Sequence, residues 1–366
     1  MKKVFFTLIL TLTFVSTLIS CTTVSNEYSL YRENGKYGLI DEKREVVLPA
    51  EFDEITENEV YLCQKKDGES YVYDDKVNLL HTFSSEQKDV QMCSPTLFYY
   101  KEGNVIDLKY YVLDIVSKEV FSISFNMIEG NISIEPWVAS RTSFYSKDMQ
   151  QASKFYGRVY PYRENRAVIV ENWDGNSQII DENFAVIVDK IYASADYYSE
   201  GLIPVILNGE LNDAVYAKPG KSCYLDLNGN VVYECDFDFN YTDRSTIKHL
   251  QIPLVIGSFV ENVAVVKAKT NQWFILDRDF NKHYLPEGYE VESYSYSNGL
   301  LLVSKLENKQ RLYGFVDKEC NLVIPCEFSY AEPFDGKYAI VEKDGKDAVI
   351  DREGKVYYCD EFWKNL

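Results

Sequence analysis

Residues 35–49 read GKYGLIDEKREVVLP, and residues 311–325 read RLYGFVDKECNLVIP. Tyr37 and Tyr313, Asp41 and Asp317, and Pro49 and Pro325 are separated by one common interval, so the two phrases are copies of one unit. The core of the phrase is an apolar pair, an aspartate and a turn. It recurs as LID, YVYD, YVLD, QIID, CYLD, WFILD, GFVD and AVID, ending at Asp41, Asp74, Asp114, Asp181, Asp226, Asp277, Asp317 and Asp351. The intervals centre on roughly 40 residues, the period range of stacked repeat architectures.

Each unit alternates apolar with polar residues and is cut by turn signals, as in YAIVEKDGKDAVIDREGKVYY (338–358). That pattern predicts a β-meander of three or four strands. In DLNG (226–229) and DREG (351–354) the aspartate opens a four-residue turn. There its carboxylate accepts a backbone N–H two residues on, while glycine takes the left-handed position. The eight aspartates are therefore expected to be structural. A ring of metal-binding carboxylates is the alternative, and the DxDxDG spacing that calcium loops use is missing, so no metal and no cofactor are expected. Cys320 stands in the glycine slot after Asp317 and Arg44 in that after Asp41, which predicts looser or differently shaped turns at those two sites.

GKYGLIDEKREVVLPAEFDEI and YGFVDKECNLVIPCEFSYAEPF resemble WG repeats, with Tyr37 and Tyr313 in place of the tryptophan. The first and seventh units fit well, the eighth keeps only AVIDREGKVYY, and the middle units are degenerate. The resemblance implies an interaction scaffold and no particular activity. Such meanders cannot bury their faces alone and must stack. The expected fold is all-β, a seven- or eight-bladed β-propeller, with an open curved β-repeat array as the alternative. The incomplete first and last units favour the closed ring.

The N-terminus supplies an address. Lys2 and Lys3 precede an apolar run from Val4 to Ile19, which reads as a signal peptide over 1–20. Leu18-Ile19-Ser20-Cys21 resembles a bacterial lipobox. The resemblance implies that Cys21 carries the lipid, that residues 21–27 are a lipidated tether, and that 28–366 is the repeat domain. The expected location is the periplasmic or extracellular side of a bacterial membrane, held through the lipid on Cys21. A cleaved secretory peptide with a chance cysteine is the alternative. The net charge of −19 opposes nonspecific nucleic-acid binding, so no nucleic-acid partner is expected. Seven cysteines remain beside Cys21, without a CxxC; disulfides and small buried thiols both stay open.

The pattern breaks most between Asp114 and Asp181, where an insertion spans about 126–166. Residues 141–166 carry Arg141, Lys147, Lys154, Arg158, Arg163 and Arg166 against Asp148 and Glu164, with Tyr145, Tyr160 and Tyr162 among the aromatics and Trp137 just before. Ser146 and Gly157 could cap a short helix. Trp137, Arg141, Tyr145, Arg158, Tyr160, Tyr162, Arg163 and Arg166 are thus candidate binding residues for an acidic partner, a glycan or lipid headgroups. The alternative is a divergent unit whose aromatics are core. DFDFNYTDRSTIKH (236–249) is a second irregular piece, read as a surface loop. His81, His249 and His283 are scattered, and HExxH, GxSxG and GxxxxGK do not occur, so no catalytic residues are nominated. The expected function is a noncatalytic envelope scaffold for a protein or glycan partner. A structural envelope component and a polysaccharide-active enzyme are the alternatives.

Overall fold

The structure is a computed structural model describing residues 27–66, 68–103, 107, 109–123, 138–139, 143–145, 153–154, 156, 158–160, 162–170, 177–194, 198–207, 210–212, 216–218, 221–235, 257–267, 272–293, 296–360 and 362. The signal peptide, Cys21 and the 236–249 piece lie outside the described residues. Antiparallel meanders make up the fold, one around each of the eight aspartates. Unit 1 is formed by Tyr28–Glu33, Lys36–Asp41 and Val46–Phe52. Unit 2 is formed by Glu54–Asn58, Val60–Gln64, Ser70–Tyr73 and Leu79–Phe83. Unit 3 follows with Lys88–Met92, Leu97–Glu102, Lys109–Asp114 and Val120–Ile123.

Units 4 and 5 share one sheet. Unit 4 contributes Arg158–Val159, Arg166–Val170 and Ser177–Asp181, and unit 5 contributes Leu202–Leu207, Lys221–Asp226 and Val231–Glu234. Val186–Ser194 pairs with unit 4 on one side and unit 5 on the other. Unit 6 comprises Val263–Lys267, Trp273–Asp277 and Lys282–Tyr284. Unit 7 comprises Tyr289–Val291, Leu301–Glu307, Gln310–Val316 and Leu322–Phe328. Unit 8 comprises Tyr330–Ala331, Ala339–Lys343, Lys346–Ile350 and Val356–Tyr358. Only Asp53 separates the last strand of unit 1 from the first of unit 2, and only Ser329 separates units 7 and 8. The repeated phrase therefore straddles two sheets, and its P-x-x-aromatic tail delivers the chain to the next one.

Strand side chains alternate between faces, so each sheet buries both. Val263 and Val265 pack toward unit 7 with Leu301 and Val303, while Ala264 and Val266 pack toward unit 5 with Tyr224. Leu300 and Leu302 turn the other way, onto Ala339 and Val341 of unit 8. Each fully buried Val, Leu or Ile contributes roughly 1.5–3 kcal/mol, so the core is distributed over the sheet interfaces. The last interface joins the ends of the chain: Tyr31 and Ile40 of unit 1 pack with Tyr338, Val349, Cys359 and Phe362. An open array would leave these two terminal sheets facing solvent, whereas unit 1 packs on unit 8, as the first and last blades of a β-propeller do.

Candidate functional site

The aspartate turns share one geometry. Asp226 Oδ1 accepts N–H groups from Asn228 and Asn230 at 2.9 and 2.8 Å, and Asp317 Oδ1 accepts those of Glu319 and Asn321 at 3.0 and 2.8 Å. Asp41, Asp74, Asp181 and Asp277 repeat this pair of bonds. Asp351 Oδ1 keeps the second of them, from Lys355 at 2.9 Å. The expectation of looser turns at Arg44 and Cys320 is corrected. Both residues take the left-handed conformation at φ 68° and 66°, beside 80° at Gly229, and the backbone bonds are the same. The carboxylate's bonds hold a non-glycine residue in that region. The turn that does differ follows Asp114, where the left-handed residue is Lys118, one position later.

The insertion does not form an exposed aromatic grip at its described positions. Tyr162 is buried with Phe144, Tyr156 and Ile169, and its hydroxyl donates to the Asp181 carbonyl. Tyr160 is half-buried against the core between units 4 and 5. Arg166 is half-buried; its Nε donates to the Leu227 carbonyl at 2.9 Å and its Nη1 reaches Glu182 at 3.4 Å. Arg163 is exposed and pairs with Arg166 through the backbone. These residues build the entry to unit 4, because burying the aromatic faces is worth more than presenting them to water. Tyr145 and Arg158 lie in short paired strands opposite Val138 and Val170, while their side chains, with Trp137 and Arg141, lie outside the described residues. Ser153, Lys154 and Tyr156 are not helical, and the rest of the expected helix lies outside the described residues.

A second recurring turn escaped the sequence reading. The segments 163–166, 199–202, 260–263, 297–300 and 335–338 each close an isolated bridge at the entry to the strands Arg166–Val170, Leu202–Leu207, Val263–Lys267, Leu301–Glu307 and Ala339–Lys343. In three of them a glutamate passes its carboxylate to the next unit. Glu164 accepts from the Gly201 N–H at 2.8 Å, Glu200 from Asn262 at 2.9 Å, and Glu261 from Gly299 at 2.7 Å. The dipeptides Glu164-Asn165, Glu200-Gly201 and Glu261-Asn262 were the available signal. At unit 7 the position is Asn298, and the Lys337 N–H goes instead to Ser29 Oγ at 3.1 Å.

Where that carboxylate relay stops, a cleft of about 650 Å³ opens. It is lined by Asn298 of unit 7, by Lys337, Tyr338, Arg352 and Glu353 of unit 8, and by Glu42 of unit 1. Lys337 Nζ pairs with Glu42 at 2.7 Å, and Arg44 lies 4.0 Å over the Tyr357 ring while donating to Tyr338 Oη at 3.0 Å. Close by, the Leu30 N–H donates to Asp335 Oδ2 at 2.7 Å. Burial first, and then the charge of Asp335, push Glu57 up to about 8, against a smaller lowering effect from Tyr61. Among the described residues no group of His, Cys, Asp and Glu could hold a metal ion, and no helix is long and apolar enough to cross a membrane. The described cysteines are free thiols, and burial pushes Cys63 and Cys359 up to about 12, away from reactivity.

The profile of the family described as "WG containing repeat" matches residues 37–59, 179–210 and 313–346. These stretches are the junctions from unit 1 to 2, from 4 to 5 and from 7 to 8. No curated protein matches the sequence. Among solved structures, a eukaryotic initiation factor is similar at a TM-score of 0.54 and 11% identity, over 91% of this chain and 95% of that one. The β-propeller domain of the Trilobed protease from Pyrococcus furiosus is similar at 0.39 and 10% identity, over 90% and 97%. Such identities speak to fold alone. Fold and repeat together define the class, an all-β protein of repeated meanders carrying WG repeats.

Proposed function

We propose that this chain is a lipid-anchored cell-envelope protein that acts as a noncatalytic scaffold, holding a protein partner at the cleft between units 7, 8 and 1. The observation that carries the reading is the mixed-charge cleft that opens where the carboxylate relay of units 4 to 7 stops at Asn298. Arg352 and Glu353 are exposed there, beside Lys337 and Glu42, and both signs of charge around a tyrosine suit a polypeptide segment. A glycan would be gripped by open aromatic faces, whereas Tyr338 is buried and its ring packs edge-on against Tyr357. The anchor rests on Lys2, Lys3, the apolar run and Cys21.

The experiment compares wild type with Arg352→Glu/Glu353→Arg, both crosslinked to partners in intact envelopes. A specific adduct that the charge swap abolishes, with an unchanged melting temperature, supports the scaffold at this cleft. An adduct pattern indifferent to the swap rejects the cleft, and the absence of any specific adduct favours the structural-component alternative. For the anchor, Cys21→Ala should leave the detergent phase in phase partitioning; retention there at the wild-type level rejects lipidation at Cys21.

A further inference from the structure

The described residues expose twelve large apolar side chains, and ten of them sit two to six residues after a turn aspartate. Adjacent pairs recur at Leu79-Leu80, Val231-Val232 and Leu322-Val323, each opening the last strand of its unit. Strand pairing sets them at the turn: Leu79 lies opposite Tyr73, Val231 opposite Leu225 and Leu322 opposite Val316, each the residue before the aspartate. The aspartate turns of neighbouring units lie at one common end. There Lys318 Nζ donates to the Glu261 carbonyl at 2.6 Å, Tyr338 Oη to the Glu42 carbonyl at 2.9 Å and Arg166 Nε to the Leu227 carbonyl, and Val77 of the Asp74 turn packs in one cluster with Tyr28. Of the other two exposed side chains, Leu306 adjoins a hairpin at the opposite end and Tyr284 closes the last strand of unit 6. Scattered apolar side chains need no explanation, but a rim of them gathered at one end marks a surface that is covered.

We propose that this end of the molecule lies on the lipid bilayer, with the apolar pairs seated in the headgroup boundary; the proposal rests on the lipid at Cys21 argued above. What selects a bilayer over another protein is where the chain enters. Tyr28 lies opposite Asp41, so the first strand of unit 1 starts at this same end. Residues 21–27 reach at most about 25 Å when fully extended, so an anchor at Cys21 draws this end to the membrane ahead of the opposite one. The depth agrees as well: the pairs lie within two residues of the turns, about 7 Å of strand, and interfacial segments sink about 5–10 Å. The turns themselves set both signs of exposed charge side by side, Lys43 with Glu42, Lys76 with Asp75 and Arg352 with Glu353, which suits a zwitterionic headgroup layer. The cleft between units 7, 8 and 1 opens at this end, so its partner is a polypeptide lying at the bilayer surface.

The test uses the full chain with its lipid, reconstituted with phosphatidylcholine vesicles and carrying the photocrosslinker p-benzoylphenylalanine at Leu80, Val232, Val323 or Leu306. All four positions are exposed, so the substitution leaves the core intact, and melting temperatures check this. Flotation reports whether the chain is bound to vesicles, and mass spectrometry after illumination reports which positions touch lipid. A floating chain should carry severalfold more lipid adduct at Leu80, Val232 and Val323 than at Leu306. Floating chain with no adduct at those three positions, or with as much at Leu306, overturns the proposal and leaves the anchor standing. Chain that does not float overturns the anchor, and the proposal with it.

Discussion

Gly38 lies against the backbone of Ala50: a β-carbon on the glycine would sit 2.7 Å from the Ala50 nitrogen and 2.4 Å from the Leu48 carbonyl oxygen. Tyr37 pairs with Phe52 and Leu39 with Leu48, so Pro49, Ala50 and Glu51 bulge opposite that single glycine. Gly314 repeats the arrangement, with Tyr313 on Phe328, Phe315 on Ile324, and a β-carbon 2.5 Å from the Ile324 oxygen. The Y-G and the proline of the repeated phrase are thus two sides of one bulge. Gly38→Ala and Gly314→Ala are each expected to cost about 1–3 kcal/mol, the scale of overpacking against backbone that cannot move. Thermal denaturation checks this, and an unchanged midpoint for both would mean the bulge does not require glycine.

The turn aspartates should carry more stability than their neighbours. Asp317 accepts two backbone N–H groups at Oδ1 and the Asn321 side-chain amide at Oδ2, whereas the Glu319 side chain lies exposed in the same turn. Asp317→Ala should therefore cost about 1–2 kcal/mol and Glu319→Ala close to nothing. Urea unfolding midpoints measure the difference, and equal midpoints would remove the aspartate from its assigned role.

These features were legible in the sequence to the extent that local backbone geometry dictates residue type. The Asp turn and the Y-G phrase recur because a particular hydrogen bond and a particular close approach demand them. The left-handed Arg44 and Cys320 were misjudged because glycine was taken as necessary where the carboxylate already holds the turn. The Glu164, Glu200 and Glu261 relay was missed because its N–H donors lie in the next unit, and nothing within one unit's sequence requires it. Tyr162 and Arg166 were placed on a grip because the insertion has no clean period of two to say which face is buried.

Lys118 offers a test of strain in the one turn of different length. It is exposed and sits at φ 64°, a region where a β-carbon costs roughly 1–2 kcal/mol and glycine costs little. Lys118→Gly should then raise stability by up to about 1 kcal/mol, since the glycine's greater freedom in the unfolded chain offsets part of the relief. A lower melting temperature for the variant would show that the lysine side chain contributes something beyond its backbone.

Acid should loosen the turns whose aspartates are depressed in the folded chain. The Asn230 side-chain amide holds the Asp226 carboxyl below its ordinary value of 3.8, against a smaller opposing burial effect and with help from the N–H groups of Asn230, Asn228 and Gly229. A carboxylate depressed in the folded state contributes stability that is complete above the unfolded value and is lost as pH falls through the folded one. The loss from Asp226 therefore begins near pH 3.8 and continues below it. The group is exposed, so solvent screening keeps its share small, well under 1 kcal/mol. Asp74 and Asp277 are lowered too, so the turns sum to one acid limb. Asp226→Asn retains an acceptor for the backbone N–H groups but has no proton to gain. Urea midpoints of wild type and variant should thus converge as pH drops from about 5 to about 2.5. Curves that stay parallel over that range would mean that Asp226 does not titrate differently in the folded chain, and that its role in the turn is independent of charge.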